Sequence, residues 1–182
     1  PRDGYTVALV VPATMITLPL TNPNFKIQPL KDFEPLTAAV ETSLTLVVNK
    51  DLGIKSLSDF TAYARKNTGK LNYGIPGAGT SFHFNNVMMA NKLGFQATFV
   101  SYPGEVQVYN DLAGGQLQYA LLSSTMRSQI VDGGRVVALA VAGARREVNM
   151  PQVATFKEQG VDFSSDGWVG YAVGAGTPPA IV

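Results

Sequence analysis

The chain has 182 residues, 46% of them hydrophobic, enough to bury one substantial core with room for a small second lobe, which excludes a disordered or fibrous protein. Fourteen Lys and Arg stand against thirteen Asp and Glu, and no like-charge run exceeds Arg145-Arg146, which excludes an electrostatic footprint for nucleic acid or another polyanion. With no cysteine the sequence also lacks a disulfide framework, a thiol nucleophile and a thiolate metal site, and the compartment stays open.

No stretch approaches the roughly 18 apolar residues of a membrane helix, so no direct membrane insertion is expected, and the N-terminus lacks the basic and apolar regions of a signal peptide. Pro1-Arg2-Asp3-Gly4 predicts a turn leading into an apolar strand at 5–11. Residues 12–31, rich in Thr, Pro and Asn, read as a loop long enough that it should pack over something. A short apolar run at 36–40 and an extended run at 44–48 follow. Ser56-Leu57-Ser58-Asp59 resembles a capping box, and Leu57, Phe60, Tyr63 and Ala64 share the face of a helix that stops at Gly69.

From Leu71 the pattern becomes regular. Strands at 71–75, 97–102, 117–122 and 136–141 are separated by helices at 81–92, 105–113 and 125–132, the alternation of a parallel α/β sheet. Gly94, Gly114-Gly115 and Gly133-Gly134 stand where left-handed helix ends are expected. Residues 153–159 suggest one more short helix, and 167–173 a late strand whose Trp168 reads as core. Thr177-Pro178-Pro179-Ala180 predicts a capped helix start with only Ile181 and Val182 after it, so the chain reads as cut at both ends.

Ligands of open α/β sheets bind beyond the carboxyl ends of the strands. The richest such loop is Gly74-Ile75-Pro76-Gly77-Ala78-Gly79-Thr80-Ser81-Phe82-His83: glycines permit close backbone approach, and Thr80 and Ser81 set hydroxyls beside the free N–H groups of a helix start. It lacks the lysine of a P-loop, and Phe82 replaces the third glycine of a dinucleotide fingerprint, so a carboxylate suits it better than a triphosphate. A plain turn capped by Thr80 is an equal alternative from the loop alone. His83, the single histidine, rules out a multi-histidine metal site and reads as a packed residue in line with Val87 and Ala90. No G-x-S-x-G elbow accompanies Ser81, so hydrolase chemistry is disfavoured, and the sequence calls for no cofactor. Ser123-Ser124-Thr125 either caps a helix or offers hydroxyls to a ligand; Tyr102 suits a cleft wall or a half-buried structural role; Pro12-Ala13-Thr14 follows the first strand and could face the same cleft.

The runs Asp3-Gly4-Tyr5-Thr6, Lys31-Asp32-Phe33-Glu34-Pro35-Leu36, Leu46-Val47-Val48-Asn49 and Gly69-Lys70-Leu71-Asn72-Tyr73-Gly74 resemble the Bug-type receptors of tripartite tricarboxylate transporters. The likeness continues through Gly77-Ala78-Gly79-Thr80-Ser81-Phe82-His83, Asp111-Leu112-Ala113-Gly114-Gly115-Gln116, Ala138-Leu139-Ala140-Val141 and Gly174-Ala175-Gly176-Thr177-Pro178, in order along nearly the whole chain.

The resemblance implies a two-lobed periplasmic-binding-protein (type II) α/β fold with parallel-rich sheets, 44–166 forming the second lobe and 1–43 with 167–182 an incomplete first lobe. It implies a periplasmic, monomeric, non-enzymatic receptor that closes on a small carboxylate ligand and serves membrane transporter subunits. Gly77, Ala78, Gly79, Thr80 and Ser81 would grip the carboxylate, Pro12, Ala13 and Thr14 would form the opposite jaw, and Tyr102, Ser123 and Ser124 complete the expected site. Three features depart from the family pattern. Its early proline- and glycine-rich carboxylate loop has no counterpart, the common basic residue after Tyr-Pro is absent, since Pro103-Gly104 follows Tyr102 directly, and Ser123-Ser124 stand where an acidic residue often meets a ligand amine. The last predicts that plain carboxylic acids bind better than amino-acid analogues. An effector-binding lobe of a regulator or sensor would share this architecture, but no helix-turn-helix is visible.

Overall fold

The computed structural model describes residues 3–182. In chain order they form β1 (Ala8–Val10), a π-helical stretch (Ala13–Thr17), α1 (Leu18–Thr21), α2 (Pro29–Asp32), β2 (Phe33–Asn49) and α3 (Leu57–Lys66). Then come β3 (Leu71–Ile75), α4 (Ser81–Leu93), β4 (Ala97–Ser101), α5 (Glu105–Ala113) and β5 (Tyr119–Ser123), followed by α6 (Arg127–Asp132), β6 (Val136–Val141) and β7 (Asp166–Gly174). The chain divides into two compact units, one running up to Thr42 and resuming at Gly167–Val182, the other Ser43–Asp166.

In Ser43–Asp166 the sheet order is β6-β2-β5-β3-β4. β3 pairs in parallel with β4 and β5, whereas residues 44–49 of β2 run antiparallel to both β5 and β6. The four strands of the regular pattern therefore point one way, as their alternation with helices predicts, but the sheet is mixed because β2 is inserted between β5 and β6.

Side chains alternate across this sheet. Tyr119 and Leu121 of β5, with Leu44, Leu46 and Val48 of β2, join one core cluster, to which α3 adds Leu57, Phe60 and Ala64 and α4 adds Met89, Ala90 and Leu93. Ala120, Leu122 and Val47 point the other way, onto Val108 and Leu112 of α5 and Ile130 of α6. Helices thus cover both faces of the inner strands, which for that reason read as continuous apolar runs, whereas the edge strand β4 is largely exposed. Gly74 belongs to the second face: a Cβ there would stand 2.6 Å from Val108 Cγ1 and 2.7 Å from Leu117 Cδ1, so only glycine lets α5 lie this close to β3. Ser56 accepts from the Asp59 N–H at 3.0 Å and starts α3 as its sequence implies. At the glycine pairs the second residue takes the left-handed conformation, Gly115 and Gly134 rather than Gly114 and Gly133.

Several expectations are corrected. The strand placed at 5–11 is only Ala8–Val10, the length over which it pairs with β7. The 12–31 loop contains the π-helical stretch, α1 and α2, with Pro12 already helical. The runs at 36–40 and 44–48 belong to one strand, β2. Residues 153–159 are not a helix, because the Val141 N–H donates to Ala154 O and the Phe156 N–H to Val141 O, which holds this backbone against the end of β6. Thr177 starts no helix either; its hydroxyl donates to Gly174 O. Pro1 and Arg2 of the expected opening turn lie outside the described residues.

In the other unit β1 pairs antiparallel with β7, and β7 lies beside residues 33–42 of β2. The Ala175 N–H donates to Asp32 O. Val10, Ala172 and Val173 are buried, whereas Trp168 is only half-buried rather than core.

Candidate functional site

Because β3 lies between β5 and β4 and runs parallel to both, the segments following all three strands leave from one end of the sheet. The glycine-rich loop begins at Ile75, whose carbonyl accepts from both the Gly77 N–H at 3.0 Å and the Tyr102 N–H at 2.9 Å. Thr80 occupies the N-cap position of α4 but makes no capping bond; its hydroxyl donates to Gly77 O at 2.8 Å. The first N–H groups of this 13-residue helix, Ser81 to His83, have no carbonyl partner within the helix and carry the positive end of its dipole. Gly79, at φ +76° with open space where a side chain would stand, is required by backbone conformation rather than by crowding. Loop acceptors are thus used up locally while helix donors remain, an arrangement suited to an anion.

His83 is tied into this loop. Its Nδ1 accepts from the Gly79 N–H at 3.3 Å, and its ring lies 4.6 Å from that of Phe99 on β4. The predicted stripe of His83, Val87 and Ala90 is not one buried face, since Val87 is exposed and the buried positions of α4 are Asn86, Met89, Ala90 and Leu93.

Of the other sequence-derived candidates, Tyr102 follows β4 directly, but its hydroxyl donates to Asp111 Oδ2 at 2.7 Å along α5. Burial first, and the Asp111 carboxylate second, push this hydroxyl up to about 12. Ser123, the buried last residue of β5, makes no capping bond. Its N–H donates to Glu105 Oε2 at 2.6 Å and its hydroxyl to Glu105 Oε1 at 2.7 Å, and Thr125 Oγ1 lies 2.6 Å from that hydroxyl. Ser124 continues into a 3-10 turn. In the other unit the Thr14 hydroxyl donates to Val11 O at 3.1 Å, so Pro12-Ala13-Thr14 form a helical start rather than a strand-end loop.

Glu105 is the residue that sequence reasoning missed. It lies 18 positions from Ser123, and only the strand order brings the two together. The available signal was an acidic residue opening a helix three residues after a strand, at the carboxyl end of the sheet.

A sheet with helices on both faces and a donor-presenting glycine loop at the carboxyl end of a parallel strand belongs to the type II periplasmic-binding-protein α/β fold. The chain belongs to the tripartite tricarboxylate transporter family of receptors, whose description matches residues 1–182. It is 32% identical over 180 residues to the UPF0065 protein in the gbd 5' region of Cupriavidus necator, covering 99% of this chain and 54% of that protein. Among solved structures it superposes on R. palustris Rpa4515 with adipate at a TM-score of 0.88, 27% identity and coverage of 100% of this chain and 61% of the other. MatC from Rhodopseudomonas palustris with bound malate gives 0.83 and 26%, covering 100% of this chain and 62% of that one. The chain spans about half the length of the curated relatives it matches. Among the described residues no helix is long and apolar enough to cross a membrane.

Proposed function

We infer that this protein is a periplasmic receptor that binds a small carboxylated organic acid without transforming it and delivers it to a tripartite membrane transporter. The observation carrying this reading is the loop at 77–81: Ile75 O and Gly77 O are occupied from within, and the helix N–H groups from Ser81 onward are left for a carboxylate. Family membership supports it, as do the carboxylates in the two similar structures, adipate and malate. Gly77, Ala78, Gly79, Thr80 and Ser81 hold the carboxylate, with Ser123, Ser124 and Tyr102 following the neighbouring strands. Participation of Pro12, Ala13 and Thr14, capture by both lobes and the transporter partnership rest on family membership.

Calorimetry with succinate, glutarate and adipate tests the loop. Gly79→Val, which forces a β-branched residue to positive φ, should weaken binding by about tenfold or more. Thr80→Ala, which removes one neutral hydrogen bond, should weaken it by roughly two- to tenfold. Negligible losses at both positions would place the site elsewhere.

A further inference from the structure

The carboxylate of Glu105 has no role in the grip just described, yet it sits beside it. Glu105 opens α5 three residues after β4, and its two oxygens bind Ser123 at the end of β5. β3 lies between those strands, so this contact passes across β3 where the glycine-rich loop begins. The close packing of α5 on β3 at Gly74 fixes the path.

The hydrogen-bond inventory then determines what the pair offers. Ser123 uses its single hydroxyl proton on Glu105, so the short contact with Thr125 is made by Thr125 donating to Ser123 Oγ. A carboxylate accepts about four hydrogen bonds, and Ser123 fills two of them. The ion pairs Lys92–Asp162 and Arg146–Glu158 lie elsewhere on the unit and do not involve Glu105. The result is a half-buried carboxyl group with acceptor capacity beyond Ser123, at a place where Ser123-Ser124 alone suggest neutral hydroxyls.

We propose that Glu105, braced by Ser123, selects ligands whose end remote from the gripped carboxylate is an ammonium group, and disfavours a second carboxylate there. This rests on the receptor reading above and reverses the preference for plain carboxylic acids that the serines imply. A cation supplies both the charge and the N–H donors that the remaining acceptor positions of Glu105 take, whereas a second carboxylate meets like charge with no donor between.

Titration calorimetry on the protein with two length-matched pairs, 4-aminobutyrate against succinate and 5-aminovalerate against glutarate, tests it. In at least one pair the amine should bind about tenfold or more tightly than the dicarboxylate. Glu105→Gln should abolish that preference by weakening the amine and strengthening the dicarboxylate. Glu105→Asp keeps the charge and should keep the direction of the preference, which separates charge from any loss of local folding. Tight dicarboxylate binding that Glu105→Gln leaves unchanged overturns the role of Glu105 and leaves the receptor standing. Absence of binding by all four acids overturns both.

Discussion

Ser43–Asp166 and the remainder of the chain use similar residues to different ends. The former sandwiches its sheet between helices, and Leu46, Phe60, Leu112, Leu121 and Phe156 are shut from solvent. The latter carries Leu20 at 80% exposure and Leu30 at 99%, with Leu9 and Ile16 also in water. Apolar content alone does not make a core; a core forms where alternating strand faces meet amphipathic helices on both sides.

The sharpest way to break this contrast is one substitution in each unit. Gly74→Val drives a side chain into Val108 and Leu117 and should cost about 3 kcal/mol in urea denaturation. Leu30→Ser should stay within about 0.5 kcal/mol, since the side chain it removes packs against little. Amide exchange should likewise be slowest in β2 from 44–49, β3 and β5, and fast in α1 and α2. Equal losses for the two variants, or uniform protection, would end the distinction.

A smaller effect probes the interior of the better-packed unit. Tyr119 is fully buried, stacked 5.3 Å from Tyr73, and among the described residues its hydroxyl has no hydrogen-bond partner. Burial pushes that hydroxyl well above its ordinary titration range. Tyr119→Phe removes an unsatisfied donor and keeps the ring, so thermal denaturation should show a gain of about 1 kcal/mol. A loss would mean that the hydroxyl has a partner in solution.

The smallest effect lies on the surface of the same unit. Arg146, through its hydrogen bonds, and then the Thr155 N–H hold the Glu158 carboxyl down from 4.5 to about 2. Since the folded value is depressed, this contribution is present above pH 4.5 and is lost as pH falls toward 2. Glu158→Gln should slightly reduce the acid-induced fall in melting temperature over that interval, and no more than slightly, because the pair is exposed.

Strands buried on both faces announce themselves as apolar runs, so β3, β5 and β6 were legible from spacing and glycine punctuation, and the exposed edge strand β4 from its place in the same alternation. β2 was not. Glu41-Thr42-Ser43 interrupt its apolar pattern and give two apparent runs, but backbone pairing is indifferent to that interruption. Residues 153–159 mislead in the opposite sense, with a helical spacing overruled by two backbone bonds to Val141. At the candidate site the glycine loop was visible because its chemistry is local. Glu105 was invisible because its meaning depends on strand order, and the Thr80 hydroxyl, which reads equally as a ligand contact or a helix cap, donates instead to Gly77 O.

The doubly occupied carbonyl of Ile75 has an electrostatic consequence. The last carbonyl of a strand ordinarily directs lone pairs out of the sheet end, a ring of partial negative charge that repels any anion arriving there. At β3 both lone pairs of that oxygen are screened by the Gly77 and Tyr102 protons, and Gly77 O is screened in turn by Thr80. The end of β3 therefore sets less bare carbonyl charge against the free N–H groups of α4 than an open strand end would.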